Sequence, residues 1–454
     1  MLQRGLALFA VLFAATVSAQ EARRCLYDVR VSGELVLDVN VTCDPDVHGL
    51  NALERHSHGH VTVLATDRGK DHFAARYRVA LATMARESAS VDAAVRSGDS
   101  VLTVASSWLL YPVRESRGAA RLEIRVSVSP GIDFVTAQPM VDGVFTIPQS
   151  ELDMAGFSAF GRFRRHPMTG HDANGAVAPA AYEVVVLDGR LEVSEELLLD
   201  WITHCAEIMT RFWHGFPAPG MKIFVLPRAG ANGVSFGRDM SGGGVSMLLV
   251  VGEKTTREKL DDDWVLIHEL VHAGSPFVKG APWFTEGLAT YFEPLIRARY
   301  GLQSPGAMWT EFITNMPRGA SVIGSSGLVR GGFRGWYWGG GLLMLLADVG
   351  MRRASDGRLG LEDCLRAVRT RFGDYVRTIG LEDMVTACDA AVGGTTLAQL
   401  IERYAQSSTA VDLDALWNEL GVRLDDGALL VDDRAPLAAV REAIVRGGVG
   451  SAAQ

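Results

Sequence analysis

Within the run Val265-Leu-Ile-His268-Glu269-Leu-Val-His272, two histidines stand four residues apart in a segment of helical period. On a helix that spacing puts both imidazoles on one face, where both rings can reach a single metal ion, with Glu269 beside them. Neutral imidazole and carboxylate suit zinc, and a catalytic zinc site leaves its fourth position to water. In such a site Glu269 is not a ligand; it takes a proton from the water. The third ligand is expected from Pro282-Trp-Phe-Thr-Glu286-Gly-Leu-Ala-Thr-Tyr-Phe-Glu293. The residues from Gly274 to Pro282 include Gly, Pro, Lys and Ser, a turn that lets a second helix fold back and carry Glu286 in its first turns toward the histidines. Glu293 is the rival carboxylate, but it lies beside Pro294, near the far end of that helix. One zinc ion held by His268, His272 and Glu286 is the reading these residues support.

These residues, together with Glu-Gly-Leu-Ala-Thr-Tyr in the Trp283 to Phe292 segment, make the chain resemble the gluzincin metallopeptidases, and more narrowly the glycyl aminopeptidase family. Trp336-Tyr337-Trp338-Gly339-Gly340-Gly341 through Asp348, then Leu361 to Gly373, are similar to that family's tyrosine-led helix and the helices after it. The resemblance implies hydrolysis of a peptide or protein substrate, with Glu269 as general base and Tyr337 donating to the oxyanion of the tetrahedral intermediate. Such a donor counts because charge develops on that oxygen only as water attacks. The chain departs from the family in two places. Gly339 stands where the family has a lysine, and Ser241 to Met247, matched to the family's Gly-rich edge strand, offers Ser246 or Met247 where an acidic residue holds the substrate's amine. Gly243 and Gly244 are read as bare backbone against which a substrate strand can pair. Aminopeptidase-like and endopeptidase activity both stay open.

Two readings from other classes compete. One is a noncatalytic binding or scaffold protein with a remnant zinc site, against which an intact Glu269 speaks. The other is a zinc hydrolase of nonpeptide substrates, which shares the site chemistry. His56-Ser-His58-Gly-His60 is read as a solvated loop, because alternating histidines there lack acidic company. Asp261 to Asp263 is read as a charged helix face with at most one member pointing inward to a ligand imidazole.

The elements that must position these groups follow from the pattern along the chain. Short alternating or apolar runs between Cys25 and Pro148, such as Arg76 to Leu81 and Arg121 to Val128, predict an antiparallel sandwich-like domain. A loop-rich bridge is expected from Gly156 to Pro179. After it come a strand (183–187), a helix (194–213) capped by Ser194, a strand (222–226), an apolar run (245–251) and a helix from near Thr255. Beyond Pro282 nearly everything has helical period. The expected fold class is thus α+β and multidomain: an N-terminal antiparallel β-sandwich-like domain with its bridge (20–180), a thermolysin-like α/β catalytic domain (181–300) and a mostly α-helical C-terminal region (301–454).

Residues 1–19 read as a signal peptide, with Arg4, an apolar run from Leu6 to Val17 and small residues at the cleavage point, which predicts an exported protein, periplasmic or secreted, with no membrane span in the mature chain. Export permits disulfides. Of five cysteines, Cys25 with Cys43 and Cys364 with Cys388 are the pairs that nearness in sequence suggests, with Cys205 read as a buried thiol, but the sequence leaves the connectivity open. Across 454 residues the net charge is −9, so no basic excess is present to follow a phosphate backbone, and nucleic acid is not expected as a partner. Oligomeric state is not encoded in any of these features.

Overall fold

A computed structural model of the chain describes residues 23–115, 119–171 and 179–447. The leader, 1–19, lies outside the described residues. Among them, no helix is long and apolar enough to cross a membrane.

The N-terminal part is built on a seven-stranded sheet whose spatial order is Met140–Val141, Val144–Pro148, Ala120–Val128, Arg23–Val31, Val36–Cys43, Phe73–Ala80 and Val61–Arg68. Pairing is antiparallel except between Arg23–Val31 and Ala120–Val128, which run parallel, so the expected all-antiparallel sheet is in fact mixed. The Cys25–Cys43 disulfide joins directly opposed residues of neighbouring strands. A second sheet, Asp133–Thr136, Phe157–Gly161, Ser100–Val104 and Ala94–Ser97, covers one face, and Tyr27, Tyr77, Trp108, Phe145 and Phe160 fill the space between. Inward and outward residues alternate along Val36–Cys43 and Phe73–Ala80 in the large sheet, as a half-buried sheet requires.

The next layer is a five-stranded sheet in the order Phe163–Gly170, Ala180–Leu187, Lys222–Arg228, Ser246–Gly252 and Val234–Met240. Its three middle strands are parallel and its two outer strands antiparallel. Val185, Leu187, Phe224 and Leu248 pack on the small N-terminal sheet, while Val184, Val186, Ile223 and Met247 pack on the helices. Cover on both faces is why these strands read as continuous apolar runs rather than as alternations.

The predicted bridge from Gly156 to Pro179 is not a loop in its described part. Phe157–Gly161 is a strand within the small sheet, and Phe163–Gly170 is the outer strand of the five-stranded sheet. Pro167 is tolerated there because an outer strand leaves one row of N–H groups unpaired, and the same exposure explains the Arg, His and Thr that read as loop. The helix expected from near Thr255 is two: Arg257–Asp261 and Val265–Ala273, with Asp263 Oδ2 accepting from the Leu266 N–H at 3.0 Å as the second begins.

One apolar core extends from Tyr182 to Ile444, so the boundary expected at residue 300 does not separate two cores. The helix Pro282–Arg299 crosses the helix Trp338–Ala354 at the centre of that core. A buried ion cluster ties the two. Tyr291 donates to Asp348 at 2.5 Å; Arg352 pairs with Asp348 at 3.1 Å and with Glu362 at 2.6 Å; and Arg299 reaches Glu362 at 3.2 Å. Glu362 opens the helix Leu361–Phe372, which the Cys364–Cys388 disulfide joins to Leu381–Val392. Cys205 is a buried free thiol whose burial pushes its pKa up, so it is not a ready nucleophile.

Candidate metal centre

Every residue of the helix Val265–Ala273 is buried. A helix enclosed on all sides is apolar all round, and Val265, Leu266, Ile267, Leu270 and Val271 meet that demand. The polar exceptions, His268, Glu269 and His272, are the residues of the expected site. Beyond the helix, Gly274 lies against the Trp213 indole, where a Cβ would come within 2.2 Å of the ring. The chain then turns into Pro282–Arg299, with Pro282 in the first turn, where its missing N–H is no loss.

This turn brings His268 Nε2 and His272 Nε2 to 3.4 and 3.6 Å from Glu286 Oε2. Among the described residues, His268, His272 and Glu286 are the one group of three such side chains whose donor atoms lie close enough together to hold an ion, all within 4.8 Å of one another. Two imidazole nitrogens and one carboxylate oxygen facing a common point fit zinc. Burial would by itself push the Glu286 carboxyl up, but His272 and His268 hold it well below the usual carboxylate range. Burial pushes the His268 imidazole down, toward the neutral form a metal requires. Glu293 is remote from the triad and pairs instead with Arg297 at 3.1 Å.

A cavity of about 290 Å³ opens over the triad, lined by Glu269, Tyr337 and a group of residues that sequence reading missed. Burial raises the Glu269 carboxyl to about 7, with Glu286 adding to the rise and His272 opposing it, so the group is poised to gain or lose a proton near neutrality. The Tyr337 ring stacks on His268 with centroids 6.1 Å apart, and its hydroxyl reaches Glu286. Tyr375, buried in the turn after Leu361–Phe372, comes within 6.4 Å of the His272 ring.

The fourth wall is the edge strand Val234–Met240, where the expected edge was 241–247. Ser246–Gly252 instead lies inside the sheet, paired on both sides. A register shift between Val234 and Phe236 bends the edge strand, and Gly237 and Asp239 then share one face, as alternate residues do. At Gly237 a Cβ would come within 2.6 Å of Glu269, so a bare backbone is required there. Asp239 is buried, and neither of its carboxylate oxygens has a hydrogen-bond partner. Burial, with Glu269 and Glu286 nearby, raises its pKa well above the ordinary value. Arg238, between them in sequence, pairs with Asp92 of the N-terminal part. The signal for this strand was the Val234, Phe236, Arg238 alternation, which the three following glycines obscured.

Gly243 and Gly244 do not line the cavity. They pack on the N-terminal part, where Cβ atoms would meet Gln138 Oε1 at 2.2 Å and the Ala137 carbonyl at 2.4 Å, while the Gly242 N–H donates to the Met154 carbonyl at 2.8 Å. The expected substrate role at these glycines therefore gives way to a contact between layers. Gly339 and Gly340 are likewise packing positions. Gly340 meets the Trp283 carbonyl and Gly287, and Gly339 meets Leu328. Asp261 pairs with Arg257 and Asp262 with Arg297, and Asp263 caps the helix, so no ligand imidazole draws on that run. His60, from the histidine tract, lies 3.6 Å from Glu87 and belongs to no metal-capable group among the described residues.

No protein-family model matches the chain, and no curated protein matches its sequence. Solved structures do match. The chain is similar to an aminopeptidase N family protein from Idiomarina loihiensis, at 14% identity over 88% of this chain and 78% of that one, with a TM-score of 0.63. It is also similar to the M1 zinc metallopeptidase from Deinococcus radiodurans, at 15% identity over 86% and 94% of the two chains, with a TM-score of 0.52. A mutant of that enzyme bound to a Tyr-Ser-Ala substrate matches at 15% identity over 86% and 95%, with a TM-score of 0.50. At such identities the likeness is one of fold: the chain has a gluzincin aminopeptidase-like fold.

Proposed function

We propose that this chain is an exported zinc aminopeptidase of the gluzincin type, with one zinc ion held by His268, His272 and Glu286. The observation that carries the choice of aminopeptidase is Asp239. A buried carboxylate with both oxygens unpartnered, facing the cavity beside Glu269 and Glu286, is costly unless a cation comes to it. The free α-amine of a peptide is such a cation, and the edge strand that carries Asp239 can pair with an extended substrate backbone. The acidic residue that the resemblance sought at Ser246 or Met247 is thus supplied from the preceding strand. Export is supported by the leader sequence and by the two disulfides.

Zinc in this site would polarise the scissile carbonyl and make water nucleophilic near neutral pH. Glu269 accepts a proton as the water oxygen bonds to the carbonyl carbon. Tyr337, standing over His268, donates to the oxygen on which negative charge develops. Glu269 then delivers its proton to the leaving nitrogen as the C–N bond breaks, releasing the N-terminal amino acid and a peptide shortened by one residue. Gly237 keeps the strand edge clear of Glu269 through these steps.

The test is metal analysis with cleavage assays on matched peptides bearing free or acetylated N-termini. Bound zinc with cleavage of free-amine peptides alone is the expected result. Equal cleavage of acetylated peptides would assign the endopeptidase reading, and zinc with no cleavage of either would overturn the peptidase reading in favour of a scaffold or a hydrolase of nonpeptide substrates.

A further inference from the structure

The parallel strands Ala180–Leu187, Lys222–Arg228 and Ser246–Gly252 all end on the same side of their sheet. Ligand sites in such sheets form beyond the carboxyl ends of the strands, and pockets favour the seam between two layers. Both conditions meet in a cavity of about 490 Å³. Gly189, Ala229 and Glu253 reach it from the turns past the three strands. Val91, Val95 and Arg96 reach it from the N-terminal part, where Ala94–Ser97 is the outermost strand of the small sheet. No lining residue is shared with the cavity over the metal triad.

Most of the lining is apolar. Leu226, Pro227 and Val250 are buried, and Val91 and Val95 are half-buried, so the hydrocarbon part of a ligand would leave water there. Charge comes from Arg96, Arg190 and Arg228 against one carboxylate, Glu253. Three of these four are already engaged. Arg96 donates to the Gly98 carbonyl at 2.8 Å and lies 3.9 Å from Asp99. Glu253 accepts from the Gly230 N–H at 2.9 Å and faces Arg190 at 3.7 Å. Asp188, next to Gly98, accepts from the Asp99 N–H at 2.6 Å. Arg228 is exposed, and its guanidinium makes no hydrogen bond or ion pair among the described residues. It is the uncommitted charge of an otherwise apolar and balanced cavity.

We propose that this cavity binds a carboxylate carried on an apolar body, the chemistry shared by the C-terminal residue of a peptide and a free fatty acid. A planar guanidinium holds a carboxylate through two parallel N–H bonds, so Arg228 supplies the anchor while Val91, Val95 and Leu226 cover the hydrocarbon. Glu253 on the same lining repels a doubly charged group, which favours a carboxylate over phosphate. The site is separate from the metal centre and does not rest on the peptidase reading.

The experiment is a ligand-observed NMR titration of the zinc-loaded chain with octanoate and N-acetyl-Ala-Leu, beside octanamide, N-acetyl-Ala-Leu amide and inorganic phosphate. Either acid should saturate, at least fivefold more tightly than its amide and more tightly than phosphate. The peptide acid alone would assign a peptide C-terminus as the source, and octanoate alone a free acid. Arg228→Glu should weaken the binding tenfold or more, and Arg228→Lys should keep most of it. Ala229→Trp, at an exposed position of the lining, should fill the cavity and remove saturable binding. Melting temperatures of the three variants, all at exposed positions, should match wild type. A carboxylate that binds at the metal centre instead would be untouched by these changes. Equal binding of acid and amide, preference for phosphate, affinity unmoved by Arg228→Glu or Ala229→Trp, or no saturation by either acid overturns the proposal.

Discussion

Gly287 and Gly340 meet backbone to backbone where Pro282–Arg299 crosses Trp338–Ala354. A Cβ on Gly340 would lie 2.0 Å from the Trp283 carbonyl oxygen and 2.7 Å from the Gly287 Cα. The first helix carries Glu286 and the second begins beside Tyr337, so this crossing sets the spacing between the proposed metal ligand and the proposed oxyanion donor. Gly340→Ala should therefore separate the helices and cost about 1–3 kcal/mol, more than the helix propensity that alanine adds. Thermal unfolding with kcat on the same samples checks this, and zinc content should change less than kcat.

Glu269→Gln should keep the shape of the site and its zinc while lowering kcat by roughly 10²–10⁴-fold, the usual contribution of a general base. Metal analysis beside the rate measurement separates this from loss of the ion. Substantial turnover in the variant would show that another group moves the proton.

Asp239→Asn should raise stability while impairing function. The amide removes a buried carboxylate that lacks any partner and crowds Glu269 and Glu286, so the melting temperature should hold or rise. Cleavage of free-amine peptides should weaken, mostly through KM. An unchanged KM would exclude Asp239 as the amine's partner.

Acid should unfold the chain through Glu362. Burial would raise this carboxyl, yet Arg299 and Arg352 hold it at about 2, below its ordinary 4.5. A depressed folded pKa stabilises above the unfolded value, so that contribution is complete above about pH 4.5 and is lost as pH falls toward 2. Glu362→Gln removes the buried anion between Arg299 and Arg352, leaving Arg352 only Asp348, and should cost about 3–5 kcal/mol near neutrality. Unfolding free energy followed from pH 7 to pH 2 should show a shallower fall in the variant over that window.

Much of the metal centre was legible in the chain because its geometry is local. Helical period fixes the relation of His268 to His272 within one buried helix, and a short turn limits where Glu286 can go. The parallel strands and the helix capped by Ser194 could be read for the same reason, as could both disulfides, whose partners are near in sequence. The strand Phe163–Gly170 was hidden because Pro167 and an exposed face imitate a loop, and the short, wholly buried Phe157–Gly161 was hidden because it offers no alternation.

Sequence alone singled out His268, His272 and Glu286 as candidate metal ligands and Glu269 as a candidate base, because their spacing is set by periodicity over a few turns of chain. Tertiary structure decided which strand forms the edge of the site, since only sheet pairing puts Val234–Met240 outside Ser246–Gly252 and turns Gly237 and Asp239 toward Glu269. It also moved Gly243 and Gly244 away from the site and into a contact between layers. A cavity that runs from Trp264 to Trp338 likewise draws on five helices that only packing brings together. The physical reason is distance along the chain: a motif records neighbours one turn apart, whereas a buried carboxylate shows that it lacks a partner only when everything packed around it is in place.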